Sequence, residues 1–451
     1  MIANQKRIFN VTVAILAVLL AGFAMQGRLQ WVLLKDYPNA TDSFYYLQEF
    51  KSRIFNNESY YVSYSLFFWF WSGIGKILSL DPVQTHNAVF YSSLLTFCLA
   101  ILVYLKESLS KWFPYALIAM YLMSDLLFYR QYAFLKQGFA ISIFFLGAAL
   151  FQTSKQKITI RLFALGLICF AALMHIFVAA VAMVFLALQL FTSEKYKPLI
   201  GLSITGILFY FCYTLNMNPK FLFELGGFFR AGWWGTCNSI SCSEFEWQEF
   251  YIYSFTFLVL LVHYLLAPKS FKNLFPYTLI ILILLLNLNL WAEQGDMRNR
   301  LAVASVWLMY MLISSSLSEK TWLPSTVLAG AFPVLTCCFM LSAKKPYQAA
   351  KLPFRLLEEK KAVITAWLPP GSFILADHGL EFAVSYFFDR PAASKLPVNI
   401  KFENTFQLKQ QSSGKDSAEN CSELHDGMTT AQTRCIRIND SWALVKLSGQ
   451  I

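Results

Sequence analysis

VSYSLFFWFWSGIGKILSL, residues 62–80, decides how this chain is laid out, because counting it as a membrane crossing inverts everything downstream. It is apolar throughout, yet it contains two glycines and Lys76. The chain around it has 451 residues, 57% of them apolar, 17% aromatic and only 14% charged. Soluble domains carry roughly a quarter charged residues, so this is a membrane composition. Apolar runs that match a hydrocarbon core of about 30 Å recur from residue 8 to residue 343. After residue 344 Lys, Glu, Asp, Ser and Pro return and no such run appears. The expectation is a polytopic membrane domain, 1–343, followed by a small soluble α/β domain, 344–451.

Span-length segments lie near 8–25, 87–105, 113–128, 134–152, 162–174, 177–191, 198–214, 250–267, 274–292, 301–317 and 323–343. Lys6 and Arg7 place the N-terminus inside, and the 8–25 run is read as a retained first span, since AGFAMQG is a poor cleavage site. If these eleven segments cross, the short basic loops all fall on the cytoplasmic side. Those loops hold Lys106 and Lys111; Lys155, Lys157 and Arg161; Lys195 and Lys197; Lys269 and Lys272; and Lys320. Counting 62–80 as a span would put them outside. That segment is therefore expected to be a helix in the outer interface, where Trp69, Trp71 and Lys76 are at home, within a first outer loop of 27–86. Residues 162–191 would make a helix about 45 Å long, too long for one upright crossing, so two short spans are expected to meet at Met174-His175-Ile176.

The net charge of +11 is dispersed in twos and threes between apolar runs, which suits membrane anchoring and not nucleic acid. Cysteines agree with the topology. Cys237 and Cys242 share an outer loop and Cys421 and Cys435 share the tail, so each pair is a disulfide candidate. Cys98, Cys169, Cys212, Cys337 and Cys338 lie in spans. No metal site is expected, because the spacing of the tail pair matches no zinc template.

The outer face then collects Asp36, Asp42, Arg130, Lys136, His175, Glu293, Asp296, Arg298 and Arg300 near the bilayer. Each alone fits a solvated or snorkelling rim charge, and a histidine at a helix break can simply satisfy freed backbone groups. Together, an acid above several cations suits an amphiphilic phosphate donor held at the interface. Arg and Lys clamp phosphate oxygens, and a carboxylate acts as base to an acceptor hydroxyl. Tyr45 and Tyr46, next to Asp42, would stack on a sugar or anchor at headgroup depth.

The order of features resembles the GT-C superfamily of polyprenyl-phosphate-dependent glycosyltransferases, of the protein mannosyltransferase and aminoarabinose transferase kind. The resemblance rests on Asp42-Ser43-Phe44-Tyr45-Tyr46, the aromatic helix YSLFFWFWSGIGKIL, the segment FYRQYAFLKQGFAISIFFLGAALF and the interrupted run FAALMHIFVAAV. LPPGSFILADHGLEFAVSYFFDRP is similar to the strand, turn and helix of the outer domain in such proteins. The resemblance implies transfer of a sugar, with inversion, from polyprenyl phosphate to a glycan, lipid or protein acceptor, while the lack of organelle signals and the expected extracytoplasmic disulfides point to a multi-pass protein of a bacterial inner membrane. Asp42 would be the base, and Arg130, Lys136, His175, Arg298 and Arg300 would bind the phosphate. Many members carry two adjacent acids; here Asp42 is followed by Ser43, which leaves a divalent cation open and requires no other cofactor.

Within the tail, AVITAWLPPG reads as helix and turn, FILAD as a buried strand, LEFAVSYFFD as a helix and SWALVKLSG as a closing strand. Asp377-His378-Gly379 ends the strand, where open α/β sheets favour ligand contact, so His378 joins the candidates. The polar stretch 412–433 reads as a loop pinned by Cys421 and Cys435. Two other readings stay open: a polysaccharide polymerase using a lipid-diphosphate donor, and a transporter or flippase. The middles of the spans hold few ionisable groups, which disfavours transport.

Overall fold

The computed structural model describes residues 43–58, 65–104, 118, 130–153, 158–192, 196–217, 354–376, 380–393, 404–410, 422–423, 435–439 and 442–447. The described chain is mainly helical, with one small sheet. Its helices begin with α1 (Ser43–Lys51, continued by one π-helical turn, Ser52–Asn56), α2 (Leu66–Ile77) and α3 (Pro82–Tyr104). There follow α4 (Arg130–Ala133), α5 (Leu135–Thr153), α6 (Ile158–Met174), α7 (Ile176–Thr192) and α8 (Lys197–Met217). The tail contributes α9 (Phe354–Glu359), α10 (Lys361–Trp367), β1 (Ser372–Leu375), α11 (Leu380–Phe388) and β2 (Ala392–Ala393). It closes with β3 (Asn404–Gln410), β4 (Ser422–Glu423), β5 (Cys435–Asn439) and β6 (Trp442–Lys446).

Two compact units form. One comprises Met1–Leu34, Tyr64–Phe67 and Ala88–Pro346; the other comprises Lys35–Ser63, Phe68–Asn87 and Tyr347–Ile451. The second unit is thus discontinuous: most of the loop that the sequence reading grouped with the spans folds with the tail.

Local chemistry explains the helix ends. Asp81 and Gln84 form a reciprocal capping box at the start of α3: Gln84 N–H donates to Asp81 Oδ1 at 2.8 Å, and Asp81 N–H donates to Gln84 Oε1 at 3.1 Å. Pro82 takes the first helical position, where its missing N–H costs nothing. Helix α2 has 12 residues, about 18 Å of rise, well short of a crossing. It leaves Trp69 (65% exposed) and Ile77 (82%) uncovered, and the turn after it does the same for Leu78 (61%).

In the first unit, α3, α5, α6, α7 and α8 fall on the expected segments 87–105, 134–152, 162–174, 177–191 and 198–214, within a few residues at each end. The long apolar run does break at His175, whose carbonyl accepts from Ala179 N–H at 2.9 Å as α7 begins. Two described helices, Pro82–Val103 and Leu135–Gln152, are long and apolar enough to cross a membrane. The expected spans near 8–25, 113–128, 250–267, 274–292, 301–317 and 323–343 lie outside the described residues. Aromatic edges join the helices: Phe97 meets Phe145 at 6.0 Å between ring centroids, and Phe144 meets Phe185 at 5.7 Å. Large apolar side chains also face outward, including Leu95, Phe163, Leu202 and Phe209.

In the second unit the sheet order is β2-β1-β3-β6-β5-β4. β1 is parallel to both β2 and β3, β6 is antiparallel to β3 and β5, and β4 runs parallel to β5. The turn Pro369–Ser372 that feeds β1 has Pro370 in its second position and Gly371 at φ 76° in its third, as a type II turn requires. The polar stretch 412–433 is not loop throughout, because Ser422–Glu423 pairs with β5 at the sheet edge. One hydrophobic core joins Phe44 and Leu47 of α1 to Trp367, Ile374, Val384, Phe387, Phe406, Ile436 and Leu444.

Candidate functional site

Helix α1 starts at Ser43, the residue after Asp42. Asp42 itself lies outside the described residues, as do Arg298, Arg300, His378, Cys237, Cys242 and Cys421. What is described is the platform that follows Asp42. Residues Tyr45, Glu49 and Arg53 recur every four positions and so share one face, while Phe44, Leu47 and Lys51 turn toward the tail.

Tyr45 is half-buried in an aromatic cluster. Its ring lies 5.3 Å from Tyr46, 5.8 Å from Phe68 and 5.5 Å from Phe382, each at a steep angle that sets ring edge against ring face. Tyr46 also approaches the imidazole of His86 at 6.3 Å. One helical turn along, Arg53 Nε donates to Glu49 Oε2 at 3.0 Å, and both side chains are almost wholly buried. The Arg53 guanidinium lies 5.6 Å from the Phe68 ring centre and 5.9 Å from that of Trp69. A buried ion pair is costly to desolvate and needs such supports. Gln48 Oε1 and Ser72 Oγ are also buried, without a hydrogen-bond partner among the described residues.

The tail grips α1 at both ends. Phe44 packs against the rings of Tyr386 (5.8 Å) and Phe387 (5.5 Å) on α11. Lys51 Nζ donates to the Tyr386 carbonyl at 2.9 Å, pairs with the Asp389 carboxylate, and sits 5.1 Å from the Tyr386 ring centre. Burial pushes the Tyr386 phenol up to about 12, helped by the carboxylates of Asp81, Glu358 and Asp389.

The phosphate candidates of the first unit are described only in part. Arg130 opens α4, with its side chain outside the described residues; Lys136 is half-buried in the first turn of α5; His175 is half-buried at the α6–α7 break. Next to Arg130 in the chain is a residue, Gln131, that joins a group the sequence reading passed over. Gln131 Nε2 donates to Ser93 Oγ of α3 and, at 2.7 Å, to Ser142 Oγ of α5, which donates in turn to the Gly138 carbonyl at 2.8 Å. All four residues are buried. A Cβ at Gly138 would stand 2.8 Å from the Gln131 carbonyl oxygen, so only glycine lets the α4 turn lie this close to α5. This network fixes the backbone that carries Arg130 and Lys136.

Cys435 is disulfide-bonded. Its expected partner, Cys421, lies outside the described residues, but the following residue, Ser422, is in register with Ile436, the residue after Cys435. Cys98, Cys169 and Cys212, expected in spans, are free thiols on α3, α6 and α8. Among the described residues no group of three or more His, Cys, Asp or Glu side chains is placed to hold a metal ion.

Of the residues missed from sequence, Glu49 and Arg53 had one readable signal: they stand at i+4 and i+8 from the candidate Tyr45 and so mark a helical face once α1 is read as a helix. Gln131, Ser93 and Ser142 have none, since their meeting is long-range. Comparison with protein-family models and with curated proteins finds no match to this chain.

Proposed function

We propose that this protein is a membrane glycosyltransferase of the GT-C kind, with about eleven spans, an inside N-terminus and an extracytoplasmic tail. In this reading it moves a sugar from polyprenyl phosphate to a hydroxyl acceptor at the outer face of a bacterial inner membrane. Asp42 is the base, and Lys136, His175, Arg130, Arg298 and Arg300 receive the phosphate. The observation that carries the reading is the helix directly after Asp42, which lies in one core with a disulfide-bonded tail. A disulfide belongs to an oxidising compartment, which supports an outer-side placement of the acidic loop and tail in this reading. The outward apolar side chains of α3, α6 and α8, and the exposed aromatic rim of α2, suit contact with lipid.

The test separates chemistry from folding. Asp42 immediately precedes a helix, where Asp and Asn serve equally well as N-caps and Ala costs about 1 kcal/mol. Asp42→Asn therefore keeps any capping contribution and removes the base. Membranes bearing this variant, supplied with radiolabelled polyprenyl-phosphate sugars, should lose transfer at least about a hundredfold while expression stays normal. Undiminished transfer would remove Asp42 from the chemistry, and transfer only from diphosphate-linked donors would favour the polymerase reading.

A further inference from the structure

Four helix ends meet at one end of the first unit: α5 stops at Thr153, α6 starts at Ile158, α7 stops at Thr192 and α8 starts at Lys197. Arg161, three residues into α6 and so about 4.5 Å of rise from its start, ties these ends together. Its guanidinium lies 4.4 Å from the ring centre of Tyr196, the residue before α8, and 5.6 Å from that of Phe151 on α5. Both rings are buried, and Phe151 packs in turn on Phe185 of α7 at 6.2 Å. A half-buried cation is thus held on a fixed aromatic floor, and the exposed Lys197 follows Tyr196 in the chain.

Apolar surface starts where these cations stand. Leu162 (45% exposed) and Phe163 (60%) follow Arg161 on α6, and Leu202 (70%) and Phe209 (74%) follow Lys197 along α8. The connecting stretches 154–157 and 193–195 lie outside the described residues, but their sequence adds Lys155, Lys157 and Lys195 against one acid, Glu194. Stacking spends the faces of a guanidinium, whereas a phosphate is bound by the N–H fork in its plane, so the rings can hold Arg161 ready for an anion. A soluble polyanion would match the charge and leave the apolar strips uncovered. An apolar partner would cover the strips and leave the charge. A lipid with an anionic head matches both.

We propose that Arg161 and Lys197 bind the phosphodiester of an anionic phospholipid whose acyl chains lie along the exposed strips of α6 and α8. The loop charges place this end in the cytoplasmic leaflet. The inference rests on the membrane-spanning part of the reading above and not on sugar transfer.

The test titrates full-length protein in neutral detergent with dioctanoylphosphatidylglycerol, using dioctanoylphosphatidylcholine and inorganic phosphate as comparisons. Saturating phosphatidylglycerol should raise the thermal midpoint by roughly 3 °C or more. It should also slow hydrogen exchange several-fold in peptides covering 158–163 and 196–202, while the other two additives leave both unchanged. Arg161→Gln and Lys197→Gln should each raise the lipid concentration needed for half the shift about fivefold. Because each variant is compared with its own lipid-free midpoint, lost ring stacking does not mimic lost binding. Should Arg161→Gln fail to fold, Lys197→Gln and the wild-type comparison of the two lipids decide. An equal response to phosphatidylcholine, an equal response to inorganic phosphate, or wild-type titrations in the variants would each overturn the proposal. Release of the wild-type chain from membranes by alkaline carbonate would remove the spanning reading itself, and the proposal with it.

Discussion

Removing Arg53 alone should destabilise the unit that carries the acidic loop, whereas removing Arg53 and Glu49 together should not. Glu49 has no exposed surface and its partner retains 7% of its side-chain exposure, so the pair has little access to water. Arg53→Met leaves the Glu49 carboxylate buried without its cation, a loss of about 3–5 kcal/mol. At about 2–4 °C per kcal/mol for a unit of this size, the midpoint should fall by roughly 6–20 °C. Glu49→Leu with Arg53→Met replaces the pair by apolar side chains of similar bulk. Such replacements are commonly neutral or stabilising by about 1–4 kcal/mol, so the double variant should melt near or above the wild type. The assay is tryptophan fluorescence of detergent-solubilised protein during heating, with Trp69, Trp71, Trp367 and Trp442 as reporters within the unit. A double variant that melts as low as Arg53→Met would refute the reasoning, because the cost would then lie in lost packing on Phe68 and Trp69.

The Tyr386 phenol, raised from 10 to about 12, favours the neutral form in the folded protein. Its contribution is complete below pH 10 and is lost as pH climbs toward 12, so wild-type stability should fall more steeply across that window than that of Tyr386→Phe; parallel profiles would contradict the burial argument. Glu58→Cys and Glu359→Cys, both at exposed positions of the second unit, should react with an impermeant maleimide from the same side of sealed membranes; labelling from opposite sides would break the shared core.

The elements that were legible in the sequence were those whose signal is local. The break at His175 followed from thirty apolar residues exceeding one crossing, and α2 followed from glycines, a lysine and tryptophans packed into nineteen positions. In the tail, β1, α11 and β6 followed from apolar spacing, and the turn before β1 from Pro370-Gly371. The sequence concealed what depends on distant partners. β3, NTFQLKQ, alternates weakly and becomes a central strand only because β1 and β6 flank it. Ser422–Glu423 looks like loop because a two-residue edge strand has no period to detect. Within each unit the buried polar contacts were hidden for the same reason: in the second, Lys51 and Asp389 stand 338 residues apart, and in the first, Gln131 finds Ser93 across 38.

The shared core also constrains the part of the chain that local signals fix least well. Phe44 and Leu444 are buried together, so they lie on the same side of any membrane the protein crosses. Between them the chain must cross an even number of times. The segments expected to cross after α1, from 87–105 to 323–343, number ten, which satisfies the condition. Adding 62–80 makes eleven, which does not. The parity argument uses neither the charge of the loops nor the 12-residue length of α2, and where the ten expected segments all cross it disfavours the same segment that those two observations disfavour. Any revision of the crossings between α1 and the tail must therefore add or remove them in pairs.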